Sequence, residues 1–160
     1  NKKISDINAC VLKRPRHDII VKNLEKMNVN INYITDGDIA GALSVIGDQP
    51  KNDIYYSTGG GPEGVIVAAA LSCYGGQIQG RLVLNEEEKV RAKKLGIKDF
   101  NKKYNIDDMV KGDIIFCATG VTSGDLANGV KDLGNEFEVN TFSLHKSQKI
   151  IKSVTNIYNK

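Results

Sequence analysis

The stretch Tyr55-Tyr56-Ser57-Thr58-Gly59-Gly60-Gly61-Pro62-Glu63-Gly64 constrains this chain more than any other, because it carries an apolar strand through three glycines into a helix. Three glycines bring no Cβ, so the main chain there is free to take positive φ and lie against a ligand. Pro62 suits the first helical turn, where its missing N–H leaves no bond unmade. Behind it, Val65-Ile66-Val67-Ala68-Ala69-Ala70-Leu71 is apolar on every face, the pattern of a buried helix. Its N-terminus directs unpaired N–H groups and partial positive charge at the turn. Glu63 stands there with two readings open: a carboxylate stabilised by the dipole alone, or an oxygen ligand for a hard divalent cation. The turn lacks the Gly-Lys-Ser/Thr ending of a nucleotide P-loop. Gly59, Gly61 and Gly64 meet the letters of Gly-x-Gly-x-x-Gly, but no acidic residue clearly ends a following strand, which argues against a dinucleotide site.

Strands and helices alternate on either side of this turn. Ile7 to Leu12 is short, apolar and β-prone, and Lys13-Arg14-Pro15-Arg16-His17 is its exit loop. Pro15 favours an extended Arg14, and in an extended chain residues two apart share a face. Arg14 and Arg16 on one face could fork a phosphate between them, or could form a solvated basic turn. His17 is expected to start a helix in which Ile19, Ile20, Leu24 and Met27 recur at helical spacing. Ile31 to Ile34 alternates as a second strand, and Asp36-Gly37-Asp38 turns it into a helix over 39–46. Either aspartate could cap that helix, or the pair could accept hydrogen bonds from a polyol.

Ile54-Tyr55-Tyr56 is the third strand, and Gly75-Gly76 ends the apolar helix. Gln77 to Leu84 reads as a further strand with Ile78, Leu82 and Leu84 on one face. Glu86 to Leu95 reads as a helix with acids first and bases last, as the macrodipole prefers. Residues 97–109 are charged and poorly periodic, a loop with room for a short helix. Ile114 to Ala118 is a continuous apolar run, as in a strand buried on both faces. Thr119-Gly120-Val121-Thr122-Ser123-Gly124-Asp125-Leu126 follows as a strand exit that could bind phosphate or simply turn. Thr141 to His145 and Lys149 to Tyr158 form an expected hairpin around Lys146-Ser147-Gln148.

The expected architecture is therefore one α/β domain over residues 1–160, with a central, mostly parallel or mixed sheet flanked by helices. Ligands in such layers gather beyond the carboxyl ends of parallel strands. If the exit strands run the same way, Arg14, Arg16, Asp36, Asp38, Gly60, Glu63 and Thr119 converge at one edge. Cations, carboxylates and a metal-ligand candidate together suit a phosphorylated sugar. With 41% hydrophobic residues, 26% charged residues and a net charge of +3, the chain has no polybasic tract for nucleic acid or a membrane surface. No apolar run reaches the ~18 residues that span a bilayer, and the expected location is cytoplasmic. Cys10, Cys73 and Cys117 lie in apolar context and read as buried free thiols. The chain opens at Asn1 rather than a methionine, which suggests a piece of a longer polypeptide.

Five strings then occur in order: Leu-Lys-Arg-Pro-Arg-His (12–17), Thr-Asp-Gly-Asp-Ile-Ala-Gly-Ala (35–42), Gly-Gly-Gly-Pro-Glu-Gly (59–64), Gln-Gly-Arg-Leu (79–82) and Ala-Thr-Gly-Val-Thr-Ser-Gly-Asp-Leu (118–126). Together they resemble the carboxyl-terminal half of the class II fructose-1,6-bisphosphatases, over nearly the whole chain. The resemblance implies a layered sugar-phosphatase fold and a gluconeogenic phosphatase, a homo-oligomer in its full-length form. Such an enzyme uses Mn2+ or Mg2+ to remove the 1-phosphate of fructose 1,6-bisphosphate and, in some lineages, accepts sedoheptulose 1,7-bisphosphate. It implies Glu63 as a metal ligand and Arg14, Pro15, Arg16, Asp36, Gly37, Asp38, Gly60 and Thr119 on substrate. The family's chain is longer, and its amino-terminal half holds most of the metal-binding carboxylates. The expectation is therefore a chain inactive by itself, and the competing reading is a non-catalytic sugar-phosphate-binding or regulatory module.

Overall fold

The computed structural model describes residues 2–35, 37–47 and 49–160. Its first half alternates as the apolar periodicity predicts. β1 (Asn8–Leu12) is followed by a 3-10 turn (Pro15–His17) and α1 (Asp18–Lys26), then β2 (Asn30–Ile34), α2 (Asp38–Leu43), β3 (Ile54–Tyr55) and α3 (Gly61–Tyr74). β1 lies between β2 and β3, and both neighbours run parallel to it. Ala9 to Leu12 are buried because the sheet is covered on both faces. On one face α1 packs Leu24, Ile20 and Val21 against Ala9 and Val11.

On the other side of the sheet stand α2 and α3. Beyond them lies a second sheet, in which β6 (Glu136–His145) pairs antiparallel with β4 (Ile115–Thr119), β5 (Lys131–Asp132) and β7 (Ile150–Asn159). Ala42 and Leu43 of α2, Val67, Ala70 and Leu71 of α3, Phe116 of β4 and Leu144 of β6 form one core cluster, with Tyr55 of β3 packed against it. The layers are thus α1, parallel sheet, α2 with α3, antiparallel sheet. α3 is covered only in part: Val67, Ala68, Ala70 and Leu71 are buried, whereas Val65 and Ile66 near its start are exposed, and Gly75 closes it in the left-handed conformation at φ 73°.

Two expected strands differ. Gln77 to Leu84 contributes only one bridge, Gly80 to Tyr104, and Val83 is 77% exposed. With a bridge partner at one position only among the described residues, an apolar alternation does not make a strand. The 114–118 run is not buried on both faces: β4 hides Phe116 (7% exposed) against α3 and leaves Ile115 68% exposed. Of the three thiols, Cys10 is buried, Cys73 half-buried and Cys117 exposed, the last on the uncovered face of β4. α4 (Glu86–Lys94) opens with a reciprocal cap between Asn85 and Glu88, and α5 (Ile106–Met109) is the short helix of the charged segment. No helix is long and apolar enough to cross a membrane among the described residues.

The hairpin turn is fastened by Asp113, just before β4. Its Oδ2 accepts from Ser147 Oγ (2.7 Å) and meets His145 Nε2 at 2.7 Å, while its Oδ1 accepts from the N–H groups of Ser147 and Ile114. Serine and carboxylate converge on the same ring nitrogen of His145, so these three are a staple and not a relay of the hydrolase kind. The Ser147 hydroxyl, then His145, hold the Asp113 carboxyl well below the usual carboxylate range. A depressed folded-state value stabilises the fold above the unfolded pKa of about 4 and loses that contribution as pH falls. Urea midpoints of the parent chain and Asp113→Asn are therefore expected to differ at neutral pH and to converge as pH drops below about 4. A constant gap across that range would refute the staple.

Candidate functional site at the carboxyl edge of the parallel sheet

Because β1, β2 and β3 run the same way, the loops that leave them meet at one edge. His17 joins two of these loops. It is 1% exposed; its Nδ1 lies 2.6 Å from Leu12 O, and its Nε2 accepts from Thr58 N–H at 2.9 Å. An accepting Nε2 carries no hydrogen, so the ring proton sits on Nδ1 and is donated to Leu12 O. The 3.2 Å approach of Nε2 to Thr58 O is then a contact without a proton in it. Arg16 completes the tie by donating Nε–H to Thr58 O at 2.6 Å. Thr58, at the head of the glycine turn, is gripped at both its N–H and its C=O by the Arg-Pro-Arg-His segment.

That grip changes the expected arginine geometry. Arg14 is extended (φ −142°, ψ 145°), but the chain from Pro15 to His17 is a 3-10 turn, so the two-residue alternation does not continue. Arg14 donates Nη1–H to the adjacent Lys13 O at 3.0 Å, and Arg16 turns to Thr58. The terminal nitrogens of Arg16 carry no hydrogen bond among the described residues, which keeps its outer, forked edge available to an anion.

Of the three glycines, Gly60 is the one explained by space. None of Gly59, Gly60 and Gly61 is at positive φ, and Gly60 has φ −68° and ψ 147°, open to any residue. A Cβ on Gly60 would stand 2.1 Å from Glu63 Oε2, and one on Gly59 would stand 3.5 Å from Asp38 Oδ2. Two carboxylates therefore lie against successive glycines, one from α2 and one from α3. The left-handed glycine of the site is Gly37 (φ 86°), which leads into α2.

Asp38 is the more firmly held of the two. Its Oδ1 accepts from Tyr55 OH at 2.5 Å and Ser57 Oγ at 3.2 Å. Burial, and then the hydrogen bond to Asp38, push the Tyr55 phenol above its ordinary value, so it stays un-ionised and donates. Asp36 lies outside the described residues. Among the described residues, no three His, Cys, Asp or Glu side chains gather closely enough to hold a metal ion.

Thr119 is not brought to this edge. It ends β4 in the other sheet, with its Oγ1 on Thr141 Oγ1 at 3.0 Å. The loop after it reaches the parallel sheet at the opposite end, where Asp125 pairs with Lys51 ahead of β3. β4 lies in the other sheet, so the exit rule of the parallel strands does not apply to Thr119. The residues that sequence reasoning missed are His17 as a tie and Tyr55 with Ser57 as holders of Asp38. The one available signal was a tyrosine ending a strand whose other residues are apolar, since a buried phenol needs a partner.

The family model for bacterial fructose-1,6-bisphosphatase, glpX-encoded, matches residues 1–158. The chain is 33% identical to the class 2 fructose-1,6-bisphosphatase of Haemophilus influenzae over 172 aligned positions, covering 98% of this chain and 51% of that protein. It is 30% identical to fructose-1,6-bisphosphatase 1 class 2 of Escherichia coli K12 with the same coverage. The chain thus spans about half the length of the curated relatives it matches.

Proposed function

The chain belongs to the bacterial, glpX-encoded fructose-1,6-bisphosphatase family, and from that membership we propose that it is the substrate-binding half of a metal-dependent phosphatase. The reaction is hydrolysis of the 1-phosphate of fructose 1,6-bisphosphate, in cytoplasmic gluconeogenesis. The seven-carbon analogue, sedoheptulose 1,7-bisphosphate, offers the same phosphate ester. The observation that carries this reading is the tie through Thr58, which makes the arginine loop and the Glu63 turn one body.

In this reading Arg14 and the outer edge of Arg16 neutralise a substrate phosphate beside Pro15. Asp38, with Asp36 and Gly37 next to it in sequence, accepts from sugar hydroxyls, and Gly60 lets the substrate approach bare backbone. The space left by the missing Cβ of Gly60 holds the Glu63 carboxylate at the turn, and a carboxylate oxygen fits magnesium or manganese as one ligand. Such an ion, when bound, supplies polarisation of the phosphoryl oxygens and an acidified water. One carboxylate is too few to hold it at useful affinity, so the other ligands come from the half of the relatives that this chain does not span. Thr119 is not needed for this arrangement. The homo-oligomer of the full-length form is part of the same proposal.

The test is phosphate release from fructose 1,6-bisphosphate with manganese, by the chain alone and mixed with the amino-terminal half of the Haemophilus influenzae relative. Release is expected in the mixture only, and Glu63→Gln should lower it by roughly 100-fold or more. Metal-dependent release by the chain alone, or undiminished release by the Glu63→Gln mixture, would overturn the half-site reading. One alternative, a non-catalytic sugar-phosphate-binding or regulatory module, would keep Arg14, Arg16, Asp36 and Asp38 and need no metal. Binding indifferent to a chelator, with no release in the mixture, would select it.

A further inference from the structure

Asp38 offers a ligand only one of its two oxygens. Oδ1 is committed to Tyr55 OH and Ser57 Oγ, whereas Oδ2 has no hydrogen bond among the described residues and faces the bare Gly59. The carboxylate cannot easily exchange these roles, because the phenol that sets them is itself clamped. Tyr55 is half-buried against the core cluster of α2 and α3. A Cβ on Gly41 would stand 2.7 Å from its Cε2 and 2.5 Å from Ile34 Cδ1, so ring and helix are in contact with no slack. The hydroxyl is kept in its donating form by burial and by Asp38 itself.

From this network we infer that Tyr55 is a positioning residue that makes the site selective for a polyol phosphate over phosphate alone. By occupying Oδ1 it turns Oδ2 toward the glycine turn as a fixed acceptor for a ligand hydroxyl, while the phosphate is left to the arginines. A carboxylate fixed in advance does not lose rotamer freedom when the ligand arrives, which is where the selectivity originates. The inference rests on the proposed sugar-phosphate site and adds the residue that decides what that site discriminates.

Calorimetric titration with fructose 1,6-bisphosphate and with inorganic phosphate, both with chelator present so that Glu63 plays no metal-linked part, tests it. Tyr55→Phe keeps the ring in its clamp and removes only the hydroxyl. It is expected to weaken sugar bisphosphate binding about tenfold, the effect of losing a hydrogen bond to a charged group, and to leave inorganic phosphate unchanged. In an Asp38→Asn background the same change should cost less than about twofold, since paired residues are non-additive. Ser57→Ala, at the longer bond, should have the smaller effect of the same kind. Equal weakening of both ligands, full additivity with Asp38→Asn, or a sugar preference that survives Tyr55→Phe undiminished would overturn the inference alone. A parent chain with no preference for the sugar bisphosphate would overturn the proposed site as well. Urea midpoints of each variant separate lost binding from lost folding.

Discussion

His17→Ala is expected to destabilise the chain by about 3 kcal/mol and to uncouple the arginine loop from the glycine turn. The imidazole satisfies Leu12 O and Thr58 N–H in a place where the side chain is almost fully buried. Removing it leaves two backbone groups without partners, at roughly 1–3 kcal/mol each, and opens a cavity that alanine does not fill. Domains of this size are stable by only about 5–15 kcal/mol, so the loss is a large fraction of the whole. Equilibrium urea unfolding measures it, and a change under about 1 kcal/mol would show that the tie is not structural.

A second effect separates His17 from an ordinary core residue. His17 holds Thr58 at its N–H and Arg16 binds its C=O, so phosphate affinity should fall together with stability when His17 is lost. His17→Gln, whose amide oxygen can reach Thr58 N–H, should recover part of both. Recovery of stability without recovery of affinity would mean that Arg16 is oriented by something other than this peptide.

How legible these features were depends on the range of the interaction that makes them. β1 through α3 followed from apolar period and punctuation, because each element carries its own pattern: alternation in Asn30–Ile34, an all-apolar helix after Pro62, glycine at its end. The converging loops followed as well, since parallel strands force their exits to one edge. What failed was whatever needed a partner distant in sequence. Gln77 to Leu84 has the alternation of a strand but pairs at a single bridge among the described residues, and β4 has the apolar run of a buried strand with a helix on one face only. Thr119 sits in a motif as specific as the others, yet its strand lies in the other sheet and its loop pairs Asp125 with Lys51. His17 to Thr58 spans 41 residues and Tyr55 to Asp38 spans 17, pairings that no local pattern encodes. In each case the residue type announced a need, a buried imidazole or phenol requiring a partner, without saying where it would be met.

The glycine turn yields the sharpest separation of conformation from space. If Gly60 were required for its backbone angles, alanine there would strain the chain; at φ −68° and ψ 147° it does not. Gly60→Ala is therefore expected to change folding stability by no more than about 0.5 kcal/mol, the range of substitutions that meet no structural feature. Its Cβ would instead stand 2.1 Å from Glu63 Oε2, a distance no pair of atoms accepts, and the flexible carboxylate is what must move. In the mixture with the amino-terminal half, Gly60→Ala should thus lower manganese-dependent phosphate release by roughly 10–100-fold, the usual cost of misplacing a ligand's support. Once Glu63 is already alanine, the same substitution should have almost no further effect, because nothing remains to be displaced. A stable Gly60→Ala protein with full activity would show that Glu63 works from a rotamer other than the one lying over Gly60. An effect of Gly60→Ala that persists without Glu63 would assign the glycine to close backbone approach by the substrate itself.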